Sequence, residues 1–266
     1  MDTKHQASPS AITHRPRQNR RGFLALTHAL VAHRRMAMTD RLLATLLAGV
    51  AGAVNAGGFF VVGKYTSHMT GYVSQVADSL ATGNFAVAFA SIVAIFSFLS
   101  GAITSSIMVV WARLHRSHFQ YALPIMVQGA SLFAFSLSGR VFSSDYLLVQ
   151  LAWLCYLMGM QNATITKLSR ARVRTTHVTG MVTDIGIETG RALFGRMAGN
   201  PHIKADWRKL STLLRIVFAY LVGGIMGAIG FASVGFYFAM PLALILLTIS
   251  LPMLLKPVMK RKTVRP

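Results

Sequence analysis

Six long apolar stretches constrain the fold of this chain more than any other feature of its sequence. Each approaches the roughly 20 residues that an α-helix needs to cross the hydrocarbon core of a bilayer, and none contains Asp, Glu, Lys or His. The apolar runs are continuous, whereas the strands of a membrane barrel alternate, so helices are favoured. The sequence therefore predicts an all-α, polytopic membrane protein with about six transmembrane helices. The predicted spans are approximately residues 42–62, 86–110, 121–138, 146–165, 213–232 and 235–255.

Basic residues dominate the charge of the chain, which has 27 Lys and Arg, 7 Asp and Glu and a formal net charge of +20. In a soluble protein this balance would suggest a nucleic-acid partner, but 53% of the residues are hydrophobic and the mean hydropathy is +0.51. Alternating crossings place 25 of the 27 basic residues on one side of the membrane. The positive-inside rule makes that side the cytosol, which predicts that both termini are cytosolic. No stacking or base-reading module accompanies the charge, so nucleic-acid binding is not expected.

The charge distribution also predicts the domain organisation. Residues 1–41 are rich in arginine and have no sustained apolar period, which indicates a basic, disordered cytosolic arm. Residues 42–256 form the predicted membrane domain, and residues 257–266 form a basic cytosolic tail. The expected partner is the lipid bilayer, because the arm and the tail attract anionic lipid headgroups.

One six-residue motif occurs twice, which divides the membrane domain into two similar halves. Thr66-Ser67-His68-Met69-Thr70-Gly71 returns 109 residues later as Thr175-Thr176-His177-Val178-Thr179-Gly180. Each copy follows a related segment, Gly52-Ala53-Val54-Asn55-Ala56 or Gly159-Met160-Gln161-Asn162-Ala163. Three crossings per half is an odd number, so the halves at about 42–138 and 146–255 are predicted to be inverted relative to each other. This is the arrangement of many secondary transporters, which bind their substrates between the repeats.

Each motif precedes a short polar segment that we expect to be a re-entrant or interfacial helix, at residues 71–81 and 180–193. The hydroxyl groups of the motif are expected to cap these helices. Seven and eleven residues after each histidine, one helical stripe carries Gln75 and Ser79 in the first half but Asp184 and Glu188 in the second. The helix N-termini offer donors to an anion, and the acidic stripe with His177 offers a proton relay or a cation site.

The sequence therefore predicts a substrate-binding site assembled from both motifs and their flanking polar residues. No catalytic residue, metal or cofactor is predicted, and an enzyme is not expected, since no nucleophile with a positioned base occurs in the spans. The candidate substrate-binding residues are Asn55, Thr66, Ser67, His68, Thr70, Gly71, Asn162, Thr175, Thr176, His177, Thr179, Gly180, Asp184 and Glu188.

Purely structural roles explain the same residues equally simply. Each motif is also typical of a turn in which hydroxyl groups cap a helix and the histidine bonds the opposite repeat. A metal site at His68 and His177 is a weaker alternative, because no His/Cys cluster with ligand spacing accompanies them. Asp184 and Glu188 can instead pair with Arg191 or neighbouring bases. In the fifth span, Gly223 and Gly227 form a Gly-x-x-x-Gly pattern typical of a helix-packing notch.

These motifs resemble the YoaK-like family of bacterial integral membrane proteins, also called domain of unknown function 1275. The resemblance covers about residues 40–256 and rests on the two repeated motifs, their preceding Asn segments and Thr183-Asp184-Ile185-Gly186. Tyr72 stands where the family usually has Asn after the first Thr-Gly. The resemblance implies a bacterial inner-membrane protein of about six spans without an established activity. The expected function is transport of an unidentified small solute or ion, and the alternative is a non-transporting structural or regulatory membrane protein.

Overall fold

The described part of the computed structural model is built from helices. It comprises residues 37–115, 119–139, 146–168, 178–199 and 203–254, and these residues contain no β-strand. The predicted tail lies outside them, as does the arm up to residue 36. The helices are α1 (Ala37–Val62), α2 (Met69–Ala81), α3 (Phe85–His115), α4 (Ala122–Ser138), α5 (Leu147–Leu168), α6 (Val178–Met197), α7 (Trp207–Val234), a 3-10 helix (Gly235–Phe238) and α8 (Ala239–Leu254).

Each of the six predicted apolar stretches coincides with a helix. Three helical segments among the described residues are long and apolar enough to cross a membrane, and they are Leu42–Val62, Phe85–His115 and Trp207–Leu251. The third runs through the 3-10 helix, where Gly235 adopts a positive φ of 59° and separates α7 from α8. Helix α4 is a shorter apolar helix, and α5 contains the polar residues Gln150, Gln161 and Asn162. The all-helical prediction is confirmed, and the long apolar helices are those of a membrane protein.

Helices α3 and α7 each expose a continuous stripe of large apolar side chains. The stripes have helical spacing along the outer face. Exposed apolar surface of this extent is suited to hydrocarbon rather than to water. The stripes correspond position by position at a separation of 122 residues, and the matched pairs are Ile92 and Leu214, Phe96 and Phe218, Leu99 and Leu221, Ile103 and Ile225, and Ile107 and Ile229.

The most extensive helix pairs join the first half of the chain to the second half. Helix α1 packs along α7, α3 packs along α5, and α4 packs against α8. The short helices pack chiefly within their own halves, α2 against α3 and α6 against α7. At the centre, α1 also contacts α5, and their buried side chains join those of α4 and α8 in one core. Neither half therefore has a complete core of its own.

Glycines permit close backbone contact where the long helices cross. A Cβ added at any of four glycines would lie closer than 3.0 Å to a carbonyl oxygen of the opposing helix, a separation that real Cβ atoms essentially never show. The contacts are Gly52 with Tyr220 and Gly223 with Gly49 between α1 and α7, and Gly159 with Phe98 and Gly101 with Tyr156 between α3 and α5. Gly227 similarly faces Ala53. The predicted packing notch at Gly223 and Gly227 is confirmed.

Replacing a crossing glycine is expected to destabilise the protein, since a methyl group would force two helix backbones apart. We expect Gly52→Ala and Gly159→Ala each to lower the free energy of unfolding by about 1–3 kcal/mol, the usual cost of overpacking. Gly190→Ala is the matched control, because Gly190 lies in α6 with no atom near its added Cβ. Thermal unfolding in detergent measures all three. If Gly52→Ala and Gly159→Ala had the same unfolding temperature as Gly190→Ala, the close packing at the crossings would be contradicted.

Candidate functional site

The first motif is fastened to the end of α1 by one asparagine. Asn55 Oδ1 accepts hydrogen bonds from the backbone N–H of Ser67 at 3.0 Å and from Ser67 Oγ at 2.9 Å. Thr66 is fully buried and packs against Gly58, where an added Cβ would collide with the threonine methyl group. The connection between α1 and α2 thus folds back on α1, which explains why Asn55 and Ser67 belong to one unit.

The first motif does not cap α2 with a hydroxyl group, so that expectation was wrong. Helix α2 begins at Met69, and His68 occupies the N-cap position without a side-chain hydrogen bond. The Ser67 hydroxyl instead donates to Asn55 at the end of α1. His68 and Thr70 are exposed, and the imidazole covers Gly71, where a Cβ would overlap the ring. Gly71 is therefore needed for the histidine to lie flat against the helix.

The second motif lies only partly within the described residues. Thr175, Thr176 and His177 fall outside them, and α6 begins at Val178 with Thr179 and Gly180 exposed on its first turn. Asn162, which corresponds to Asn55, has a buried Oδ1 without a partner among the described residues. The repeat assigns Thr176 to the position of Ser67, so Thr176 is the expected donor to Asn162.

A charged cluster joins α6 to the start of α7. Glu188 is buried, and its Oε2 accepts the backbone N–H of Asp206 at 3.0 Å. Its Oε1 lies 3.3 Å from Arg191 Nη1 and 3.4 Å from Lys209 Nζ. Lys209 Nζ also lies 3.3 Å from Asp184 Oδ1. The alternative in which these carboxylates pair with Arg191 and a neighbouring base is confirmed, while their role in substrate binding stays a prediction.

The electrostatics of this cluster keep Glu188 charged. The hydrogen bond from the Asp206 backbone lowers the pKa of the Glu188 carboxyl below its ordinary value, and Lys209 and Arg191 add to this effect against the opposing effect of burial. Asp206 has a second role, because its Oδ1 accepts the backbone N–H groups of Arg208 and Lys209 at 3.0 Å and caps α7. The cluster is consequently a fully bonded attachment between two helices.

The first half makes the corresponding attachment without a carboxylate. Gln75 Oε1 accepts hydrogen bonds from Lys64 Nζ at 3.3 Å and from Ser91 Oγ at 2.9 Å. Ser79 is buried, and its carbonyl accepts the N–H of Asn84, at 2.7 Å, next to the start of α3. Asn84 lies 122 residues before Asp206, and Ser79 lies 109 residues before Glu188. The second half therefore has carboxylates where the first half uses an amide side chain and a backbone carbonyl.

Buried amide groups on α5 were missed among the predicted site residues. Gln161 Nε2 donates to the Leu47 carbonyl of α1 at 2.8 Å, which leaves its buried Oε1 without a partner among the described residues. Gln150 is also buried, and its Oε1 likewise has no partner among the described residues. Two glutamines within the predicted span at 146–165 were the available signal, since amides inside an apolar span are costly. An unpaired buried oxygen of this kind needs water or a ligand.

Comparison with known protein families finds one family model that matches most of this chain. A family model described as "Protein of unknown function (DUF1275)" matches residues 43–251. The chain belongs to this family. The match includes both copies of the repeated motif, the glycine crossings and α5, and it confirms the resemblance noted from the motifs. No curated protein and no solved structure matches the chain.

Tyr72 follows the first Thr-Gly of this DUF1275 protein. Its side chain is buried in a small cluster with Ala94, Leu151 and Cys155. Met181, which follows the second motif at the same distance, is buried in a cluster with Ala48 and Ile216. The position after each Thr-Gly therefore anchors its short helix to the long helices.

The contact between Asn55 and Ser67 is expected to recur between Asn162 and Thr176 in the DUF1275 protein. Asn55→Ala should lower the free energy of unfolding by about 1–3 kcal/mol, because it leaves the partly buried N–H of Ser67 unpaired. Double-mutant cycles of Asn55 with Ser67 and of Asn162 with Thr176, read by thermal unfolding in detergent, should both give coupling of about 0.5–3 kcal/mol. Additive effects in the second cycle would show that the second motif is held differently.

Proposed function

We propose that this DUF1275 protein is a six-span membrane transporter built from two inverted three-helix repeats, with its solute site beside α1 and α5. The observation that carries this proposal is the duplicated helix crossing. Gly52 and Gly159 are 107 residues apart, and the residues they face, Tyr220 and Phe98, are 122 residues apart. If each residue is replaced by its counterpart in the other half, the α1–α7 crossing becomes the α5–α3 crossing.

Further contacts support the same exchange of halves. Gly223 faces Gly49, while Gly101 faces Tyr156, and these pairs are related by the same two separations. The outer stripes of α3 and α7 also match at 122 residues. A two-fold relation between halves that each cross three times requires opposite orientations in the membrane. Both termini then lie on the side that carries 25 of the 27 basic residues, which is the cytosolic side of a bacterial inner membrane.

The α1–α5 pair is the preferred place for a solute. In transporters with inverted repeats, binding sites lie near the bilayer midplane where the repeats meet. Here α1 and α5 are equivalent helices in direct contact, and α5 carries the buried oxygens of Gln150 and Gln161, which have no partner among the described residues. These oxygens are acceptors, which suits a small neutral solute with donor groups or a small cation.

A second candidate is a structural or regulatory membrane protein that transports nothing. The observation that favours it is the internal satisfaction of the motif contacts. Ser67 bonds Asn55, and Glu188 bonds Asp206, Arg191 and Lys209. In this alternative, the motifs hold the short helices in place, and water satisfies the oxygens on α5.

The inverted topology is tested by two variants that each replace an exposed alanine with cysteine. Ala81 ends α2 and Ala198 follows α6, both are exposed, and Cys155→Ala removes the native thiol. In intact cells, an impermeant thiol reagent added from outside should label Ala81→Cys fully. It should label Ala198→Cys by less than about one tenth as much until the membrane is opened. Labelling of both positions from the same side would exclude opposite orientations.

Transport is tested with purified protein in proteoliposomes and a pool of isotopically labelled bacterial metabolites and inorganic ions. We expect at least one solute to enter faster than into protein-free vesicles. Gln161→Leu should reduce that entry by about tenfold, as expected when a solute hydrogen bond worth roughly 1.4 kcal/mol is lost. Mass spectrometry of the vesicle contents measures the entry.

Gln128→Leu is the matched control for this variant. Gln128 is also buried and its Nε2 donates to the Leu157 carbonyl at 3.3 Å, but its Oε1 is not among the fully buried oxygens without a partner. Entry should stay near the wild-type rate, provided that thermal unfolding shows an intact fold. Absence of entry for every solute in the pool would favour the structural candidate, and equal loss in both variants would exclude a specific solute contact at Gln161.

A further inference from the structure

A basic groove lies where the end of α6 meets the segment leading into α7. It encloses about 220 Å³ and is lined by Ala192, Gly195, Arg196, Ile203, Lys204, Ala205 and Trp207. Gly195 sets its shape, because an added Cβ would collide with the carbonyl oxygen of Ile203. The segment at residues 203–206 therefore rests directly on α6 and forms one wall of the groove.

The two basic side chains of the groove have no carboxylate partner among the described residues. The nearby acids are already engaged, since Asp184 and Glu188 pair with Lys209 and Arg191. Asp206 caps α7 through its side chain. Arg196 and Lys204 thus concentrate positive charge beside a concave surface without an internal counter-ion in this part of the structure.

Exposed apolar side chains surround this charge. Trp207 is 67% exposed at the groove, and Phe194 and Met197 on the last turns of α6 are 59% and 85% exposed. Tryptophan is enriched where a membrane meets water, because its ring is apolar and its N–H is polar. Apolar anchors next to basic side chains are the features with which proteins bind anionic lipid surfaces.

We propose that this groove binds the phosphate of an anionic phospholipid headgroup. Arg196 and Lys204 contact the phosphate oxygens, while Trp207 and Met197 contact the glycerol and the first acyl carbons. The corresponding connection of the first half, residues 82–84, contains no Lys or Arg, so the site belongs to one half and one leaflet. The proposal requires membrane insertion but not transport, and it concerns a defined site apart from the basic arm and tail.

Native mass spectrometry of the detergent-solubilised full chain, titrated with phosphatidylglycerol, tests this site. The double variant Arg196→Gln/Lys204→Gln should raise the apparent Kd by about ten- to thirtyfold, since each basic side chain near an anionic surface contributes on the order of 1 kcal/mol. Arg208→Gln/Arg215→Gln is the control, because it removes the same charge from exposed positions outside the groove. It should change the Kd by less than about threefold.

Three outcomes would overturn the proposal. Equal weakening in both double variants would mean that only the net charge matters. Phosphatidylcholine binding as tightly as phosphatidylglycerol would exclude selection for an anionic headgroup. Inorganic phosphate competing at the same concentration as the lipid would assign the groove to a free anion. Lys204→Gln alone, in the exposed segment before α7, should still weaken lipid binding by about threefold, and an unchanged Kd for this variant would also overturn the proposal.

Discussion

Close backbone contact between helices of different halves is the constraint on which the rest of the structure depends. Lipid chains are as apolar as leucine, so helices in a membrane gain little from burying apolar side chains and associate through packing. Because glycine has no Cβ, the backbones of α1 and α7, and of α3 and α5, lie close enough for a glycine Cα to contact the opposing carbonyl oxygen directly. These contacts leave α1 and α5 side by side at the centre.

The differences between the two attachments follow from this shared scaffold. Ser79 and Asn84 use backbone and amide groups. At the equivalent positions, Glu188 pairs with basic side chains and the Asp206 carboxylate caps α7. A buried carboxylate is tolerable only when hydrogen bonds and opposite charges compensate its desolvation, and Glu188 has both. The polar character of the stripe can therefore diverge while the same two helices remain joined.

Sequence periodicity predicted the helices but could not predict their partners. The six apolar stretches and both short helices were found, although α6 extends to Met197 rather than to residue 193. Membrane helices are apolar around much of their circumference, so an apolar face does not identify the neighbouring helix. The hydroxyl cap at Ser67 failed because its partner Asn55 is a tertiary contact twelve residues away. Gln161 was missed for the same reason, since Leu47 lies 114 residues earlier.

The distribution of unpaired polar groups moves the expected solute site away from the acidic stripe. Asp184 and Glu188 already bind cationic side chains, so a solute cation would have to displace Lys209 or Arg191 from them. The Gln161 oxygen has no such competitor among the described residues, and leaving it unpaired in an apolar interior costs on the order of 1–3 kcal/mol. A bound water or solute that donates to this oxygen recovers that cost. A solute that donates to this oxygen therefore displaces no protein side chain, whereas a cation at the carboxylates must compete with Lys209 or Arg191.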